Sequence, residues 1–130
     1  MSNSDYAIDS NAAIPLMNRE PKLISRLARD ATLFMPITVL GELYFGAERS
    51  TRVTENLARL EAFRQDVQLL GCDVVTAQHY GRIEQSLRAK GKPIPDNDVW
   101  IAAACIQNSL RLLSRDKHFS HVDGLIVISW

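Results

Sequence analysis

Ile94-Pro-Asp-Asn-Asp-Val-Trp-Ile-Ala-Ala-Ala104 is the stretch around which the chain is organised. A loop punctuated by Pro93 and Pro95 delivers two aspartates, Asp96 and Asp98, to a helix start. The helix then reads apolar through Trp100, Ile101, Ala102, Cys105 and Ile106, over 97–108. Proline costs little at a helix start, because the first amides have no partner within the helix. Asp96 suits the N-cap, where a side-chain oxygen accepts from a free amide. Asp98 falls where the positive end of the helix dipole favours a negative charge. One aspartate suffices for capping, so a spare carboxylate remains at a helix mouth.

Outward from that helix the chain alternates apolar strands with amphipathic helices. Tyr6-Ala-Ile8 reads as a strand ending at Asp9, with a helix from Ser10 through Met17. Pro21 opens a second helix carrying Leu23, Ile24, Leu27 and Ala28. Leu33-Phe-Met35 is a strand closed by Pro36, and Thr38 is the expected N-cap of the next helix. That helix places Leu40, Leu43, Tyr44 and Ala47 on one face, with Glu42 off it and Gly46 keeping one side slim. A longer amphipathic helix is expected over 52–67, with Val53, Leu57, Leu60, Phe63 and Val67 inward. Cys72-Asp-Val-Val75 is the expected third strand, Thr76 the cap after it, and Gly91 the stop of the helix carrying Tyr80, Ile83 and Leu87. Leu110–Ser114 and Leu125–Ile128 read as the last two strands. Strands separated by helices imply an α/β fold, a mostly parallel sheet of four to five strands with helices on both faces in three α/β/α layers.

Length and composition agree with a single domain over residues 1–130. At 130 residues, 46% apolar and 23% charged, the chain is ordinary for a soluble globular protein. No apolar run approaches the ~20 residues that span a bilayer. Met1 to Asp5 carries no positive segment followed by an apolar one, so no signal peptide and no membrane association are expected. Cys72 and Cys105 read as reduced core residues of a cytoplasmic protein rather than a disulfide framework. A formal net charge of zero argues against coating nucleic acid by bulk charge.

Asp9, Glu42, Asp98 and Asp116 share one property: each follows a strand or opens the helix after one. In a parallel sheet all strand carboxyl ends lie on one edge, where open α/β sheets bind ligands. The four acids are therefore expected to converge. Two carboxylates ~5 Å apart repel by about 3 kcal/mol at an effective dielectric of ~20. Such a cluster binds a cation or takes up protons. An all-oxygen set suits Mg²⁺ or Mn²⁺ rather than zinc, and such centres hydrolyse phosphodiesters with an activated water. Each acid also has an ordinary reading, as a turn residue, a cap or a surface side chain.

Four segments carry a family resemblance: Ile8-Asp-Ser-Asn11, the run Ile37–Ala47, the run Ile94–Ala103, and Leu113-Ser-Arg-Asp-Lys-His-Phe119. In this order and spacing they resemble the PIN-domain ribonucleases, specifically the VapC-type toxins of toxin–antitoxin pairs. The resemblance implies a PIN-like domain and Mg²⁺-dependent RNA cleavage, with Asp9, Glu42, Asp98 and Asp116 as the acidic metal-holding set. It places Ser10 and Asp96 behind those acids as supporting residues. It also implies a homodimer and a cognate VapB-type antitoxin that packs an amphipathic segment near Leu43–Phe63.

Arg115 and Lys117, flanking Asp116, are the basic residues best placed to meet RNA phosphates, ahead of Arg49, Arg52, Lys90 and Lys92. His118 and His121 are spaced for zinc but lack two further soft ligands, and read as surface or core histidines. Trp100 and Trp130 read as packing residues. The alternative function is a non-enzymatic Mg²⁺-binding receiver domain. Receivers want paired acids after the first strand, and Asp9 has no acidic neighbour.

Overall fold

The computed structural model describes residues 4–130. The amino-terminal stretch read for a signal segment begins in residues 1–3, which lie outside the described residues. The strands are β1 (Asp5–Ile8), β2 (Thr32–Pro36), β3 (Gln68–Leu70), β4 (Arg111–Leu113) and β5 (Val127–Ile128). The helices are α1 (Ser10–Met17), α2 (Pro21–Ile24), α3 (Ile37–Glu48), α4 (Val53–Arg64), α5 (Val74–Ala89) and α6 (Asp96–Gln107). A 3₁₀ turn spans Lys117–His121.

All four strand pairings are parallel, in the order β3-β2-β1-β4-β5. From β1 the chain steps outward to β2 and β3, then returns to the other side of β1 for β4 and β5. The direction of winding therefore reverses between β1 and β4. Loops leaving the carboxyl ends of those two strands part to opposite faces and leave a crevice there. Asp9 and Ser114 are the residues directly after β1 and β4.

Consecutive residues Tyr6, Ala7 and Ile8 are all buried, as are Leu112 and Leu113. Side chains alternate faces along a strand, so burial of neighbours means that both faces of the central strands are covered. Helices supply that cover, in the expected three-layer arrangement.

Several local expectations are corrected. The third strand is Gln68–Leu70, paired with Phe34–Pro36, not Cys72–Val75. The β-branched Val74 and Val75 suggest a strand, but Asp73 captures them for α5. Its Oδ1 accepts from the Thr76 N–H at 3.0 Å, and the Asp73 N–H donates to Thr76 Oγ1 at 3.0 Å. That is a reciprocal capping box, so Asp73 and not Thr76 is the cap, and Val74 and Val75 are left exposed. Thr38 does not cap α3 and Asp96 does not cap α6. Pro36 and Pro95 occupy the two N-cap positions, with no side-chain cap, because in both places the chain enters the helix directly after a proline. α2 closes at Ile24, four residues short of Ala28, and α4 is Val53–Arg64 rather than 52–67. Gly91 ends α5 as expected, at φ +70°. Cys105 is buried, and burial pushes its thiol far up. Cys72 is exposed, not a core residue, because it lies in the loop ahead of the Asp73 cap.

Candidate active site at the carboxyl edge of the sheet

Asp9 is only 4% exposed. Its Oδ1 accepts the Ser10 N–H at 2.8 Å, and its Oδ2 accepts the Ser114 hydroxyl at 2.7 Å. The backbone binds the same two strand ends together, the Asp9 N–H donating to the Leu113 carbonyl at 3.1 Å. Ser114 Oγ in turn accepts the Asp116 N–H at 3.0 Å. Ser114 is itself buried, so one hydroxyl fixes two acids that are distant in sequence.

Asp116 opens the 3₁₀ turn, its Oδ1 accepting the His118 N–H at 2.9 Å. It thus also plays the ordinary turn role. The turn brings the His118 imidazole back over the acids. Nδ1 lies 3.0 Å from Asp116 Oδ1 and 3.1 Å from Asp98 Oδ2. Asp98, Asp116 and His118 form a compact group whose ligand atoms all lie within 4.8 Å of one another.

Glu42 approaches from α3. Its Oε2 accepts the Ser10 hydroxyl at 3.3 Å, and its Oε1 accepts the Asn97 side-chain amide. Asn97 precedes Asp98 on α6, so Glu42 is tied to both neighbouring elements. The Asn97–Glu42 and His118–Asp98 contacts place the start of α6 at this edge.

The carboxyl groups of Asp9, Glu42 and Asp98 shift in one direction. Burial foremost pushes the Asp9 carboxyl above its ordinary range, with the charge of Asp116 adding and the two serine hydrogen bonds opposing. Glu42 is raised by burial, then by the charges of Asp9 and Asp98. Asp98 is raised by burial, then by Asp116 and Asp9, against the pull of His118. Asp9 and Asp98 thus each lie close enough to be felt by Glu42, and the tight triangle contains Asp98 and Asp116. The donor set is hard carboxylate oxygen with one imidazole nitrogen, and it fits a divalent cation.

The supporting residues divide. Ser10 touches Glu42 as described. Asp96 points aside, accepting the Tyr80 hydroxyl at 3.0 Å, while Tyr80 stacks on Trp100 at 4.4 Å between centroids. The Arg115 guanidinium lies 4.6 Å from the Trp130 ring centre, donates to the Trp130 carbonyl at 2.9 Å, and is 3.8 Å from Glu20. Lys90 pairs with Asp123, and Arg52 with Glu55. Ser114, Asn97 and His118 were missed from sequence. A serine at a strand end and an asparagine in a helix turn carry no signal of their own. His118 stood only two residues from Asp116 in a short turn, and that proximity was its one clue.

A groove of about 670 Å³ is lined by residues that include Leu16, Met17, Leu27, Leu33, Arg59 and Phe63, and none of the four acids contributes to it. A smaller one of about 230 Å³ between α1, α3 and α4 includes Glu42, Leu43, Gly46, Ala47 and Leu60. Met17 and Arg59 line both.

An all-parallel sheet whose winding reverses at a carboxylate-lined crevice defines an α/β domain with its candidate site at the topological switch point. Residues 6–125 match the model of the PIN domain. Ribonuclease VapC2 of Haemophilus influenzae is 32% identical over 128 residues, covering 96% of this chain and 97% of that one. The tRNA(fMet)-specific endonuclease VapC of Salmonella typhimurium is 29% identical with the same coverage. A crystal structure of VapBC2 from Rickettsia felis bound to a DNA fragment from their promoter superposes with a TM-score of 0.86 at 25% identity, covering 97% of this chain and 98% of that one. The chain belongs to the PIN-domain family, in its VapC ribonuclease branch, and is a nuclease. The receiver alternative falls with that assignment.

Proposed function

We propose that the chain is a Mg²⁺-dependent endoribonuclease, with Mn²⁺ able to substitute, acting as the toxin of a toxin–antitoxin pair, with one PIN domain taken over residues 1–130. The convergence of Asp9, Glu42, Asp98 and Asp116 on one crevice carries this reading. A mouth of four carboxylates repels a phosphodiester unless a cation lies among them. Asp98 and Asp116 would hold it, with Asp9 and Glu42 completing the acidic ring. When bound, the ion would activate a water and neutralise charge on the scissile phosphate. The protein's own part is preorganisation. Ser114 and the Ser10 amide fix the Asp9 carboxylate, Asn97 and the Ser10 hydroxyl fix Glu42, and none has to move as charge develops. Lys117, exposed beside Asp116, and the outer face of Arg115 are proposed to meet flanking phosphates. RNA is the proposed substrate, and the Salmonella relative's name makes transfer RNA the first to try. Cleavage is expected with Mg²⁺ or Mn²⁺ and none in EDTA; undiminished cutting in EDTA would sink the reading.

The same reading takes the chain as a cytoplasmic homodimer silenced by a cognate VapB-type antitoxin. Among the described residues no helix is long and apolar enough to cross a membrane. The Rickettsia chain was solved as VapBC2. The adjoining grooves around Leu43–Phe63 suit an apolar segment, and Glu42 on their rim puts such a segment at the mouth. A Cβ on Gly46 meets nothing within 4 Å, so Gly46→Arg obstructs the groove without disturbing the core. Light scattering of the chain alone is expected near twice 14.6 kDa. Adding the product of a small upstream reading frame should raise that mass for the parent and not for Gly46→Arg, which should still cleave RNA. Equal capture of both would move the dock elsewhere.

A further inference from the structure

We propose that His118 is a direct ligand of the cation, through Nδ1, making the centre a mixed nitrogen–oxygen site that favours Mn²⁺ over Mg²⁺. The inference rests on the cation reading above and adds to it a ligand that the acidic set does not contain. Nδ1 stands 3.0 Å from Asp116 Oδ1 and 3.1 Å from Asp98 Oδ2. Neighbouring donors of an octahedral ion, with metal–ligand distances of about 2.1 Å, are separated by roughly 3.0 Å. One nitrogen has a single hydrogen or a single lone pair to offer. It therefore cannot give both carboxylates a full hydrogen bond, whereas one ion between the three atoms engages all of them. Asp116 already receives the His118 backbone N–H, which fixes the imidazole against it. The His118 side chain is 51% exposed, so solvent and an ion can reach it.

Imidazole nitrogen is a poor partner for Mg²⁺, which demands hard oxygen, and a better one for transition ions. The chemistry of the triangle thus predicts selectivity as well as binding. Its rival is a hydrogen-bonding role, in which His118 only steadies the two aspartates.

Mn²⁺ added to the purified full chain gives a direct readout by electron paramagnetic resonance, without any RNA. Loss of the free Mn²⁺ signal at a saturable site reads the centre itself. Electron spin echo modulation from a coordinated ¹⁴N reads His118. The expected result is saturable binding with ¹⁴N modulation that disappears in His118→Gln. Mn²⁺ affinity should fall by about tenfold or more in that variant, with a smaller loss for Mg²⁺. Saturable binding without ¹⁴N modulation, or modulation that persists in His118→Gln, overturns this inference and leaves the cation site standing. Absence of saturable binding overturns both. Circular dichroism of His118→Gln separates loss of a ligand from loss of fold, and His118→Asp, which restores an oxygen donor, should recover Mg²⁺ affinity but not the modulation.

Discussion

Asp98→Asn is expected to abolish RNA cleavage and, in EDTA, to melt at a higher temperature than the parent. The two effects have one cause. Asp98 is 14% exposed at its side chain and faces Asp116, their ligand atoms lying within 4.8 Å. At an effective dielectric of ~20 that pair repels by roughly 3 kcal/mol. His118 offsets part of it, so the neutral amide should stabilise the cation-free fold by about 1 kcal/mol, or roughly 4 °C in Tm. With the ion present the order reverses. A ligand at a hundred times its Kd stabilises the form that binds it by about 2.7 kcal/mol. The parent gains that increment and the variant, lacking one carboxylate of the tight triangle, does not. Cleavage should fall about a thousandfold or more, equivalent to ~4 kcal/mol of transition-state stabilisation. Melting curves with and without Mg²⁺ and a single-turnover cleavage assay check both halves. A variant that melts below the parent in EDTA as well as in Mg²⁺ would mean that Asp98 is structural.

Asp9→Asn should lose cleavage too, but without the gain in stability. Its carboxylate has two fixed donors, the Ser10 amide and the Ser114 hydroxyl. An amide placed there can satisfy one with its oxygen and must turn its own N–H₂ toward the other. The contrast between the two aspartates follows from hydrogen bonding and not from charge alone.

That contrast also marks what the sequence could carry. The four acids were legible because the alternation of strand and helix forces a parallel sheet, and a parallel sheet gathers strand ends on one edge. No individual acid announces itself; Asp73 also follows a strand and opens a helix, and it is only a cap. What the pattern could not give was the partner of each acid. Ser114 matters because it spans β1 and β4, and that adjacency comes from the reversal in winding rather than from spacing along the chain. His118 and His121 have an i, i+3 spacing that suits a helical face, but without further soft ligands they read as surface or core histidines. In the 3₁₀ turn His118 instead meets Asp98, twenty positions away, across the crevice. The capping errors have a local cause. Thr38 and Asp96 have the right chemistry for a cap, but Pro36 and Pro95 already occupy the boundary. Val74 and Val75 have strand propensity that one reciprocal pair, Asp73 with Thr76, is enough to override.

Phe119→Ala should produce the largest loss of stability of any substitution close to the site. Phe119 is fully buried and has the largest volume among the fully buried side chains. It lies in the 3₁₀ turn, one residue after His118 and three after Asp116, so its ring is the anchor that holds that turn against the core. Truncating a buried phenylalanine costs about 3–5 kcal/mol through lost transfer energy and the cavity left behind. Set against a total of about 5–15 kcal/mol for a domain, that is a large fraction. A Tm drop on the order of 10 °C or more is expected. The site should suffer beyond the global loss. With the anchor gone, Asp116 and His118 keep their chemistry but lose their fixed approach to Asp98. Cation affinity should therefore fall even at temperatures where the variant remains folded. Phe119→Leu, which refills much of the volume, should recover most of the stability and most of the affinity. If Phe119→Ala bound Mn²⁺ as tightly as the parent while still folded, the turn would be held by its backbone and by Ser114 alone, and the buried ring would have no part in shaping the crevice.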